Sequence, residues 1–146
     1  MCVYDTLDKA ILYIIYFNGG KISKTKLVSL LYLLSDKIED LKEELDPYLN
    51  LIPMTLGDFS VNLDLDDFSI EYDLIYNLSD EVELKKKGYK YVKKLLKESS
   101  DNKLNIIKEV VEQYKNVSDK DIIKQILENL KHSQNIFFII SFQFIS

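Results

Sequence analysis

Residues 70–97 read IEYDLIYNLSDEVELKKKGYKYVKKLLK. Ile70, Tyr72, Leu74 and Tyr76 alternate with Glu71, Asp73 and Asn77, and Val82 and Leu84 alternate with Glu81 and Glu83. A period of two belongs to a half-buried strand. Between the two runs, Asn77-Leu78-Ser79-Asp80 supplies turn chemistry, so the stretch predicts a β-hairpin of residues 70–77 and 81–85. From Lys86 the period lengthens to that of a helix. Val92, Leu95 and Leu96, with Tyr89 close by, fall on one side, while Lys86, Lys90, Lys93, Lys94 and Lys97 fall on the other. A hairpin running directly into an amphipathic helix makes the fold class α+β, and the rest of the chain makes it mainly α.

Upstream, Leu7, Ile11, Ile14 and Ile15 recur at helical spacing and Asn18-Gly19-Gly20 stops them, predicting a helix over about 5–17. Ser23 is a good N-cap, its hydroxyl placed to accept from an otherwise unpaired backbone N–H. Leu27, Leu31, Leu34, Ile38, Leu41 and Leu45 follow on one stripe up to Asp46-Pro47, either as one continuous helix or as two broken near Ser35-Asp36. The stripe suits a core face or a dimer seam. Residues 48–60 read as irregular, punctuated by Pro53 and Gly57, and residues 61–65 as a strand or a short helix. Downstream, Asp101 or Asn102 caps a helix carrying Leu104, Ile107, Val110, Val111 and Tyr114. Ser118 with Asp121 resembles a capping box opening a last helix with Ile122, Ile123, Ile126, Leu127 and Leu130. Residues 1–131 form one predicted domain and residues 132–146 a hydrophobic C-terminal arm or strand.

The 146 residues carry a net charge of −5, and all 19 bases are lysine. The small total conceals strong polarity. Residues 36–83 hold fifteen acids and two lysines, whereas residues 84–97 hold seven lysines and no acid. A single cysteine, Cys2, excludes an intramolecular disulfide, and a single histidine, His132, excludes most zinc and histidine-based chemistry. The apolar runs 10–17 and 136–145 fall short of the roughly 20 residues that span a bilayer. The expectation is a soluble, cytoplasmic protein without membrane attachment.

The stretches KTKLVSLLYLLSD (24–36), GDFSVNL (57–63) and VELKKKGYKYVKKLL (82–96) resemble a winged helix-turn-helix domain with additional C-terminal helices. The last is similar to the wing strand and following helix that often read Y-x-L-T-x-x-G. Leu84, Lys87 and Gly88 fit, and Lys85 stands where Thr is common. With IIKEVVEQYKNVSDKDIIKQIL (106–127), the first two stretches are similar to winged-helix proteins near the Panacea (SocA-like antitoxin) domain. Asp58 stands where that group has proline, and the helix expected after Ser60, the recognition helix of a DNA reader, is short or absent and acidic. The resemblance implies a winged-helix fold with a small β-hairpin wing, and a regulatory protein that contacts double-stranded DNA.

Lys85, Lys86, Lys87, Lys90, Lys93, Lys94 and Lys97, beside the expected wing tip and interleaved with Tyr89 and Tyr91, are the candidate nucleic-acid contacts. Lysine neutralises phosphates with salt-dependent, largely sequence-independent affinity; the absence of arginine removes the commonest bidentate contact to guanine. The alternative is a protein-interaction module, antitoxin-like or a nucleic-acid mimic. In that case the acidic block, with Asp58, Asp64, Asp66, Asp67, Glu71 and Asp73, meets a basic partner. Asn62, Asp64, Asp66 and Asp73 also fall at positions 1, 3, 5 and 12 of a calcium-loop frame, but its sixth position is Asp67 where glycine is needed. No metal, cofactor or catalytic residue is assigned, and the chain reads as non-enzymatic. In the tail, Ile136, Phe138, Ile140, Phe142 and Phe144 share one face. Such a face needs burial in its own domain or in a homodimer interface.

Overall fold

The computed structural model describes residues 6–49, 65–99 and 102–133. Asp58, Asp64 and the apolar residues of the tail lie outside them, as does Cys2. Six α-helices, one π-helical turn and three short strands are described: α1 (Thr6–Phe17), β1 (Lys21–Ser23), α2 (Lys24–Ser35), α3 (Glu39–Leu49), the π-helical turn (Asp67–Glu71), β2 (Ile75–Asn77), β3 (Glu81–Leu84), α4 (Lys86–Glu98), α5 (Asn102–Tyr114) and α6 (Asp119–Ser133). The fold is α+β and mainly α. No helix among the described residues is long and apolar enough to cross a membrane.

Helices α1 and α2 form the centre. In α1, Leu7, Ala10 and the run Ile11–Ile15 are buried; in α2, Lys26, Leu27, Ser29, Leu30, Leu31, Leu33, Leu34 and Ser35 are buried. Where one apolar stripe was expected along α2, the helix is enclosed on nearly every side, because α1, α3, α5 and α6 all pack against it. The break near Ser35-Asp36 is present. Ser35 Oγ donates to Tyr32 O at 2.6 Å, and the backbone N–H groups of Lys37 and Ile38 both donate to Leu34 O at 2.9 Å, closing the helix before α3 begins. From α3, the Glu44 carboxylate accepts from the backbone N–H groups of Thr6 and Leu7 and caps α1.

The sheet is antiparallel in the order β1-β3-β2. Ile22 lies opposite Val82, and Ile75 opposite Leu84, and all four are buried. The strand β1 was not expected from the sequence, since three residues are too few to display a period. It forms because β3 offers it a ladder. The hairpin is shorter than the predicted 70–77 and 81–85. Residues 67–71 wind into the π-helical turn, which buries Phe68 and leaves Ile70 bare. Asp73 then takes a left-handed conformation (φ 57°) that redirects the chain into β2. The alternation of Ile70, Tyr72, Leu74 and Tyr76 therefore does not describe one strand face.

Ser23 caps α2 as expected, accepting from Lys26 N at 3.0 Å, and its hydroxyl donates to Asp119 Oδ2 at 2.7 Å. Lys26, one turn on, is buried, and its Nζ donates to the carbonyls of Tyr114 and Lys115 at 3.1 and 3.3 Å. The start of α2 thereby binds the end of α5 and the start of α6. The last helix opens with Asp121 N donating to Ser118 Oγ at 3.2 Å, and it continues to Ser133, one residue past His132.

Candidate nucleic-acid interface

The helix α4 is seated by two close approaches. At its start Lys85 N donates to Leu74 O at 2.9 Å. A Cβ on Gly88 would lie 2.2 Å from that same carbonyl oxygen. Glycine at 88 lets the first turn of α4 press on the chain entering β2. At the other contact Tyr89 lies over Gly20, its hydroxyl donating to Gly19 O at 3.3 Å, with its ring edge-on to Tyr16 at 6.1 Å. Val92 is buried, and Tyr89, Tyr91, Leu95 and Leu96 pack partly buried against the core. The opposite side is fixed by elimination. Lys86, Lys87, Lys90, Lys93, Lys94 and Lys97 are all exposed. At 3.6 residues per turn they fall within an arc of about 120° and a length of about 17 Å. None of the six forms an ion pair among the described residues.

Lys85, the seventh candidate, is placed differently. It is half-buried, forms an ion pair with Asp73 and lies 4.8 Å from the centre of the Tyr76 ring. The Asp73 carboxyl is held below its ordinary value, first by the hydrogen bond from Lys85, then by the charges of Lys85 and Lys87. The two candidate sets thus adjoin at Asp73. Flanking the lysines, Tyr91 has its phenol pushed up by burial and by the charges of Glu98 and Asp8.

The lysines were expected beside the hairpin turn; they are at the other end. Ile75 pairs with Leu84, and Asn77 with Val82, so the Asn77–Asp80 turn lies at the Glu81 end of β3 while α4 departs from the Leu84 end. The turn itself exposes Leu78, Ser79 and Asp80. In the acidic set, Asp66, Asp67, Glu71 and Asp73 are exposed on and around the π-helical turn. This turn is fastened to the hairpin by Asn77 Nδ2 donating to Asp66 Oδ1 at 3.1 Å and Leu74 N donating to Phe68 O at 2.7 Å. Of the calcium frame, Asn62 and Asp64 lie outside the described residues. Among the described residues no cluster of three or more His, Cys, Asp or Glu is placed to hold a metal ion. His132 lies in α6.

Ile70, Tyr76 and Leu78, which the linear pattern assigns to a strand and a turn, are exposed large hydrophobics. A cavity of about 430 Å³ between α1, α4 and α5, with Lys9, Tyr13, Glu98 and Lys103 in its wall, also has no counterpart in the linear pattern. Lys103 there is paired with Asp40. No protein-family model, curated protein or solved structure matches the chain.

Proposed function

We propose that the chain is a cytoplasmic, non-enzymatic regulatory protein of winged-helix type that holds the phosphate backbone of double-stranded DNA through α4. The observation that carries this reading is the lysine face of α4, six exposed cations on one side of a helix whose other side is anchored in the core. The winged-helix assignment is supported by the order helix, strand, helix, helix, turn and hairpin, and by the strand order β1-β3-β2. The turn preceding β2 exposes Asp66, Asp67 and Glu71. Phosphates would repel it from a groove, and the chain has no arginine to read guanine. Backbone contact without base reading follows.

Binding to a fluorescent duplex, titrated at two salt concentrations, tests the proposal. Salt-sensitive binding that disappears when Lys86, Lys90 and Lys93 are replaced by Glu is the expected result. Salt-independent binding, or binding that survives the replacement, counts against it. A second reading, a protein-interaction module meeting a basic partner, is favoured by those same exposed acids, and co-purification of a protein without nucleic acid would support it.

A further inference from the structure

The π-helical turn and the hairpin behind it expose Ile70, Tyr76 and Leu78 by 82%, 49% and 44%. Scattered exposed hydrophobics are ordinary on a protein surface. Here three large ones belong to one hydrogen-bonded unit, and Ile70 is nearly bare, which marks a contact surface. On the same unit Asp66, Asp67, Glu71, Asp73 and Asp80 are exposed, and the lysines that reach it, Lys85 and Lys21, are already paired with Asp73 and Glu81. An occupant must therefore bring apolar surface together with several unpaired cations.

The chain itself carries such a surface. The α4 face presents six lysines without acidic partners among the described residues, edged by the half-buried rings of Tyr89 and Tyr91. The two surfaces meet at Asp73, bonded to Lys85, with Tyr76 beneath the Lys85 ammonium. Adjoining patches of opposite sign are self-complementary under a two-fold rotation, which sets each positive patch on the partner's negative one, twice over. We propose that two copies of this chain associate through a two-fold interface in which the α4 lysine face of each meets the acidic turn of the other, with Tyr76, Ile70 and Leu78 in the apolar centre. The inference rests on the second reading above and names its basic partner as a second copy. The lysine face is covered in the dimer, so nucleic acid and the second copy compete for it.

Sedimentation velocity of the full chain without nucleic acid tests the dimer, at about 50 mM and about 500 mM salt, since screening shortens the reach of exposed charges to a few ångströms at the higher value. The wild type is expected to be dimeric at low salt and monomeric at high salt. One variant carries Lys90→Glu with Lys93→Glu, a second Asp67→Lys with Glu71→Lys; each alone is expected to be monomeric at low salt. An equimolar mixture of the two restores opposite charges at both contacts and recovers the dimer. Circular dichroism confirms that both variants are folded, and Ile70→Ser, which changes no charge, weakens dimerisation by about tenfold through lost apolar burial. A dimer that persists in either charge variant alone, or a mixture of folded variants that stays monomeric, overturns the inference. Nucleic-acid binding is measured separately, so either proposal can fail without the other.

Discussion

At Gly88 one hydrogen atom decides how the lysine helix is seated. Replacing glycine by alanine inside a helix ordinarily stabilises by about 1 kcal/mol. Here the added methyl would meet Leu74 O at 2.2 Å, a backbone atom that cannot rotate away and that already accepts from Lys85 N. Gly88→Ala is therefore expected to destabilise by about 1–3 kcal/mol, read by urea denaturation; a gain in stability would contradict the packing. Tyr32 offers a pH signature. Burial, and then the charge of Asp36, push its phenol up to about 12. The folded state favours the protonated phenol, so this contribution to stability is complete below the ordinary value of 10.0 and is lost as pH rises through about 12. Tyr32→Phe should remove that alkaline loss, and the phenolate absorbance missing from the variant should be centred near the same pH. Asp73 works in the opposite direction. Its depressed carboxyl contributes stability that is present above the ordinary value of 3.8 and lost as pH falls through the lowered one.

Among the elements, the junction of α2, α5 and α6 is where linear reading and packing part company. Ser23 was recognisable as an N-cap, since that preference depends on one residue and its nearest backbone. Its second role, donating to Asp119 across 96 positions, has no local sign. Lys26 reads as a surface residue, yet it is buried and closes the last carbonyls of α5, where a cation also suits the helix dipole. Lys26→Met should cost about 1–3 kcal/mol by stranding those carbonyls, with faster amide exchange in the last turn of α5 as the local readout. The period-two pattern at residues 70–76 failed for a related reason. A π-helical turn and the left-handed Asp73 consume the first four residues of the expected strand, and neither has a hydrophobic period to announce it.

For the whole molecule, the separation of charge matters more than the net −5. If all six exposed α4 lysines contact phosphates, the logarithm of the DNA affinity should fall with the logarithm of salt concentration at a slope no steeper than about −5. Replacing Lys90 and Lys93 by Glu should leave stability within about 0.5 kcal/mol, because both are exposed and form no ion pair among the described residues, while abolishing binding. Thermal denaturation beside anisotropy separates the two effects. Added duplex should also dissociate the proposed dimer, seen as a monomer–DNA species in sedimentation. The fold class, most helix bounds and the lysine face of α4 are legible along the chain, because helical period, caps and solvation depend on neighbours within a turn or two; whether the stripe from Leu27 to Leu45 is one helix or two is not. That β1 completes a three-stranded sheet, that the lysines leave from the end of β3 opposite the hairpin turn, and that Lys85 pairs with Asp73 emerge from the packed molecule alone. Each of these depends on register and on contacts between distant residues, for which no local energy term exists along the chain.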